Sequence, residues 1–304
     1  MRTMGGLESW MEMGFAQGAR PSAQAEASGG ASAAPKRVWP RGRALFLSHG
    51  SPMMALEESP ARDFLEELGS RGPRPRAVLA VSAHWETGLG VEVDVSGEPE
   101  TIHDFRGFPQ ALFDIQYPAP GAPELAAKAA GLLAAAGMET RSSSRGLDHG
   151  VWSPMRLMWP KADVPVAQVS IPRRASARDS WRLGQALAPL LAEGYWLIGT
   201  GSMTHNLMEV DPDPLAPEDP RSREFAEWMA RALGAGRGLS ALDWEESAPW
   251  ARWAHPTPEH IAPLFAALGA GGGPGRRLHA SSTHRSLAMD AWEFGVAKAP
   301  REEG

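Results

Sequence analysis

Nine histidines and no cysteines set the chemistry open to this chain of 304 residues. Disulfides, iron–sulfur clusters, thiolate nucleophiles and zinc-finger sites are excluded together. A metal site would have to use nitrogen and oxygen ligands. Three histidines fall at matching places. His49 ends the apolar run "ALFLS" (44–48), His84 follows "AVLAVS" (77–82), and His205 lies just beyond "YWLIGTGS" (195–202). If these runs are strands of an open α/β sheet, the three imidazoles sit at carboxyl edges, where such folds build their sites. A fourth piece is "WAHPTPEHIAPLFAALG" (253–269). Pro256 and Pro258 mark a loop entering a helix over 258–268 and place His260 in its first turn, with His255 five residues earlier. Imidazole is the commonest metal ligand and suits Fe, Zn, Cu and Ni. The plainer readings are that a strand-end histidine caps the strand, and that Glu259 only favours a helix N-terminus.

The elements that would position these residues alternate. Strands are expected over 44–48, 77–82, 166–171 and 195–202. Helices are expected over 59–70, 123–137, 178–192, 221–234 and 258–268. In the first helix Ser59 serves as N-cap, Pro60 as first residue and Gly69 as stop. The stretch 269–277 reads as a flexible loop, and 279–295 as a last strand. The pattern predicts an α/β three-layer sandwich around a largely parallel or mixed sheet. Residues 1–40 are rich in Ala, Gly, Ser and Pro. They are expected to form a disordered extension outside a single catalytic domain over 41–304.

The chain is long enough for one large α/β domain, and its 43% hydrophobic content allows a substantial core. The net charge of −6 argues against a nucleic-acid partner. No apolar run approaches the roughly 18–20 residues that span a bilayer. No signal-peptide pattern opens the chain, so the expected location is cytoplasmic. Oligomeric state is not legible.

Six strings in order, "SHGSPMMAL", "VSAHWE", "TIHDFRGFP", "LDHGVWSPM", "GTGSMTHNL" and "HPTPEHIAPL", resemble the class III extradiol ring-cleaving dioxygenases, the LigB superfamily, and within it the DOPA 4,5-dioxygenase branch. The resemblance covers roughly residues 43 to 295. It implies a non-haem Fe(II), with Zn(II) as the alternative metal, bound by His49, His84 and His260. Glu259 is the alternative third ligand, since relatives in the wider superfamily use a glutamate there. It implies His205 as catalytic acid/base, with a ligand role left open. It places His103 and His149 against the substrate, a catechol cleaved with O₂, and Phe105 in the same string is the aromatic expected to meet its ring. From the residues alone, His103 and His149 each neighbour an Asp and read equally as turn histidines. Trp85, Phe108 and Trp152 join Phe105 as aromatics suited to a flat ring or to the core. His255 reads as lying behind the site, and His279 and His284 as surface residues.

The implied chemistry needs such residues. Three protein ligands on one face of iron(II) leave positions for both catechol oxygens and O₂. A histidine near its ordinary pKa of ~6.5 can take the catechol proton and return it to a leaving oxygen. Oxygen insertion and lactone hydrolysis then give a muconic semialdehyde. Two other functions fit the same residues: a zinc hydrolase with a metal-activated water, and a non-catalytic binding protein that keeps the cleft.

Overall fold

The computed structural model describes residues 39–295. The expected disordered extension lies, up to residue 38, outside them. The strands are β1 Ala44–Ser48, β2 Val78–Thr87, β3 Val91–Asp94, β4 Thr140–Ser143, β5 Val166–Pro172, β6 Trp196–Gly201, β7 Gly275–His279, β8 Ser282–Thr283, β9 Leu287–Ala288 and β10 Ala291–Phe294. Eight of them form one sheet in the order β4-β3-β5-β2-β6-β1-β10-β7, and β8 pairs with β9. The centre, β5-β2-β6-β1, is parallel. β10 and β7 extend one edge antiparallel. β3 lies antiparallel on β5 and carries β4 parallel beyond it. The sheet is therefore mixed.

Alternation along the central strands builds the three layers, because successive side chains face opposite sides. Leu45, Leu47, Val78 and Ala80 face a core shared with Leu65 of helix Pro60–Arg71 and with Trp152 and Met155 of helix His149–Met158. Phe46, Leu79 and Val81 face the other core. That side holds Leu125 of helix Pro123–Ala135, Leu183 of Ala177–Leu187, Phe225 of Pro220–Gly234 and Phe265 of Ala262–Gly271. Each large side chain so buried stabilises by about 1.5–3 kcal/mol. A frame of this kind can hold a cluster of buried imidazoles at its edge.

Three expectations need correction. β2 does not stop at Ser82 but runs through His84 to Thr87. The helix after "HPTPEH" begins at Ala262, so His260 sits in the turn before it rather than in its first turn. Part of the expected loop 269–277 enters the edge strand β7, whose two arginines pair with Glu293 of β10 and with Asp290 just before it. No helix of the described residues is long and apolar enough to cross a membrane.

Candidate metal centre

β1 ends where its neighbours fix it. The His49 amide donates to the Gly201 carbonyl at 2.9 Å. The Met203 amide donates to Ser48 Oγ at 3.1 Å. Gly50 then turns the chain at φ +56°, and a Cβ there would fall 2.7 Å from Met289 Sδ. A glycine supplies both the left-handed turn and the space. The His49 ring stays in the protein, 1% exposed.

His84 is aimed differently. The β2–β5 register shifts between Val81 and Glu86, and such bulges re-aim side chains. Arg145 braces the bulge, donating to the His84 carbonyl and to Asp148 Oδ2, each at 2.8 Å. Ser82 Oγ donates to Asp148 Oδ1 at 2.7 Å and accepts the His84 amide at 3.1 Å. His260 is delivered by β6: the Ser202 amide donates to its carbonyl at 2.9 Å. A Cβ on Gly201 would lie 2.0 Å from that carbonyl oxygen, so only glycine lets the two segments approach.

Four imidazoles meet here, and each has its Nδ1 facing an oxygen. His149 Nδ1 donates to Asp104 Oδ1 at 2.8 Å, and His84 Nδ1 lies 3.3 Å from Asp104 Oδ2. His260 Nδ1 donates to Glu259 Oε1 at 2.9 Å. His49 Nδ1 lies 3.0 Å from Thr200 Oγ1. That hydroxyl donates its own proton to the Gly150 carbonyl at 2.5 Å. Thr200 must then accept from His49, which places the His49 proton on Nδ1. Gly150 is open to Thr200 because the residue four positions on, Pro154, has no N–H for the helix bond. In a neutral ring a proton on Nδ1 leaves Nε2 as a free lone pair.

The free nitrogens suit a cation. His49 and His84 Nε2 lie 3.0 Å apart. Two nitrogens held ~2.1 Å from one ion at a right angle are separated by about this distance. His49, His84 and His149 offer ligand atoms all within 4.8 Å of one another. His205, Glu259 and His260 form a second such group, with the His205 and His260 rings stacked at 3.4 Å. The His260 ring lies 5.5 Å from that of His49 and 4.9 Å from that of His84. Its Nε2 is buried without a hydrogen-bond partner, a state that costs about 1–3 kcal/mol unless something ligates it.

Burial, then neighbouring imidazoles, pushes His49 and His260 well below the ordinary histidine pKa. Burial pushes His84, His205 and His255 down to about 4. All are therefore neutral at pH 7, as ligands and bases must be. His205 does not keep the near-ordinary value expected from sequence, because the cleft wall desolvates it. The unfolded chain binds protons from pH ~6.5 downward, while the native state resists until about 4. Stability of the metal-free protein is thus expected to fall as pH drops from 6.5 to 4. Thermal melts at pH 7.5, 6 and 5 check this; a melting temperature flat across that range would contradict it.

Asp104 is the shared anchor that sequence reading passed over, since it looked like a neighbour of His103. Burial would raise its carboxyl, but the His149 hydrogen bonds and the adjacent His149 and His84 rings outweigh that and hold it below the usual carboxylate range. Asp104→Ala is expected to lower metal affinity about 10–100-fold with the fold intact, as for other partners of ligating histidines. Competition with a chelator, followed by circular dichroism, measures both.

A cleft of about 700 Å³ opens over the cluster, lined by His84, His149, His205 and His260. Phe105 and Phe108 form an aromatic wall, with ring centres 5.4 Å apart. Met53, Leu207, Val210 and Leu287 add apolar surface. His103, expected at the substrate, is not among the lining residues. Its Nε2 donates to the Ile115 carbonyl at 2.9 Å, and its ring packs near Phe105, Phe113 and Trp152. Trp152 is core, with its indole N–H on the Ile102 carbonyl. Trp85 is buried beneath the Arg145 guanidinium. His255 lies behind the site, donating to the Met203 carbonyl. His284, read as a surface residue, lines the cleft from a left-handed turn at φ +50°, with Nδ1 donating to the Asp211 carbonyl at 2.8 Å. A positive φ on a non-glycine residue is not legible in sequence.

Fold and site together define an α/β protein that gathers imidazoles at one edge of a mixed sheet, a donor set that could hold a metal ion. Residues 43–294 match the family described as the catalytic LigB subunit of aromatic ring-opening dioxygenase, and the chain belongs to that family. It is 41% identical to the 4,5-DOPA dioxygenase extradiol of Beta vulgaris, over 83% of this chain and 92% of that one. It is 40% identical to the protein of the same name from Escherichia coli K12, over 75% and 84% respectively. The crystal structure of an uncharacterized protein from Escherichia coli K12 aligns with a TM-score of 0.71 and 32% identity, covering 84% of this chain and all of that one.

Proposed function

We propose that the enzyme cleaves a catechol ring outside its two hydroxyls with both atoms of O₂, giving a muconic semialdehyde-type product. The relatives named 4,5-DOPA dioxygenase extradiol support this reading. Within the molecule, the observation that carries it is the set of four imidazoles whose Nδ1 atoms face oxygen and whose Nε2 atoms are free. His49, His84 and His260 are the proposed ligands. His260 takes the third place over Glu259, whose carboxylate is engaged by the His260 and Thr257 side chains. His149 Nε2 is left for the substrate. When bound, iron(II) supplies the path by which ring electrons reach O₂, which the closed-shell catechol cannot use directly.

The chain's own part follows from the cleft. Phe105 and Phe108 seat the flat ring by edge and face contacts. The apolar wall excludes water and strengthens each polar contact inside. His205, neutral and free of side-chain hydrogen bonds among the described residues, takes the proton from a catechol hydroxyl. It later returns that proton to the departing ring oxygen. His149, oriented by Asp104, accepts a hydrogen bond from the substrate through Nε2.

The test is anaerobic reconstitution with iron(II), followed by O₂ and a panel of catechols. One O₂ consumed per catechol, with a yellow product, is expected. Zinc-loaded protein is expected to show no uptake. Absence of turnover across the panel with iron fully loaded would overturn the proposal.

A further inference from the structure

The cleft carries one guanidinium with nothing to hold. Among the described residues, Arg106 is the only lysine or arginine lining it. It is exposed, and no hydrogen bond or ion pair engages it among the described residues. Other arginines are tied: Arg43 to Glu293, Arg145 to Asp148, Arg221 to Asp219. The loop that presents Arg106 is pinned on its N-terminal side. Asp104, two residues before, holds His149 at 2.8 Å. Phe105 packs 5.6 Å from the same ring and 5.4 Å from Phe108. Two residues span at most about 7 Å, and Arg106 lines the same cleft as His84, His149 and His260.

Resting on the ring-cleavage reading above, we propose that Arg106 is a specificity-determining residue: it binds a carboxylate on the substrate's side chain and selects acidic catechols over neutral ones. The planar fork matches a carboxylate with two parallel hydrogen bonds. The pinned backbone lowers the ordering cost of using it. Three acidic residues line the same cleft and must be weighed against this. Glu259 is engaged by His260 and Thr257. Asp211 accepts from the Asp213 amide. Glu57 comes from the segment after β1 and also borders a separate small cavity with Ser59 and His284. Its repulsion acts through solvent, where charges are screened over about 8 Å at physiological salt. A contact fork outweighs it.

The test pairs 3-(3,4-dihydroxyphenyl)propanoate with its neutral analogue 4-propylcatechol. Binding to the zinc-loaded protein is measured by calorimetry, and kcat/KM on the iron(II)-loaded protein. Wild type is expected to favour the carboxylate by about 10-fold or more, the scale of a charge-assisted hydrogen bond. In Arg106→Gln that ratio is expected to fall to near one, with the neutral compound changed less than about twofold. Arg106→Lys is expected to restore part of it. An unchanged ratio in Arg106→Gln, or a wild type that takes both compounds equally, overturns the role of Arg106 while leaving ring cleavage standing. A wild type that binds and cleaves neither compound, nor any other catechol, overturns both.

Discussion

The His84→Ala protein is expected to purify folded but without stoichiometric metal, and to lose essentially all ring cleavage. His84 Nε2 lies 3.0 Å from that of His49, and no other imidazole is closer to His49 by ring centre. Removing it deletes half of a donor pair spaced for one ion. Partners that only orient a ligand are worth about 10–100-fold in affinity; a ligand itself should exceed that. Folding should survive, because β2 is secured by β5 and β6 on both sides, and His84 resists protonation rather than anchoring the core. Metal content by elemental analysis, beside a thermal melt, decides it. Full metal occupancy in His84→Ala would remove it from the ligand set.

The same measurement separates the two candidates for the third position. His260→Ala is expected to match the His84→Ala loss, and His149→Ala to keep the metal while raising KM. The reason is solvent access: both rings line the cleft, but only the His260 Nε2 is fully buried without a partner. The opposite outcome would make His49, His84 and His149 the ligands, as the 4.8 Å grouping allows.

The central strands were legible because a buried parallel strand reads as a continuous apolar run. β1 falls on the predicted 44–48, and β5 and β6 lie within a residue of their predicted ends. The helix His149–Met158 was not legible. Gly150 and Pro154 punctuate it, and its stability comes from packing Trp152 and Met155 on Leu45, Leu47 and Leu65 rather than from local propensity. β3 and β4 are short and lie at a sheet edge, where pairing partners far away in sequence decide the outcome. In the site, residue types were visible and orientations were not. Nothing local shows that Pro154 leaves a carbonyl for Thr200 and so sets the His49 tautomer. Nothing local shows that the Asp before Phe105, rather than the His beside it, serves the cluster.

His205→Ala is expected to keep its metal and lose about 10²–10⁴-fold in kcat, the range for a general acid/base. Three donors are in place without it, so a fourth is not required to hold the ion. Its backbone is fixed independently of any metal, the His205 amide donating to the Ala254 carbonyl at 2.8 Å. Its ring stacks flat on that of His260, with centres 3.4 Å apart, and lines the cleft. A pKa lowered by burial to about 4 keeps the lone pair free at neutral pH. The form that accepts a proton thus exists above pH 4 and is lost as pH falls through that value. The acid limb of the wild-type rate should therefore lie well below 6.5, where an exposed histidine would put it. In the variant, the remaining rate should rise with pH as solvent hydroxide and the catechol's own ionisation replace the lost base. Two results would refute this role. Folded but metal-free His205→Ala would make His205 a ligand, joined to His260 and Glu259. Full metal with a near-normal rate would move proton transfer to His149, whose Nε2 faces the same substrate.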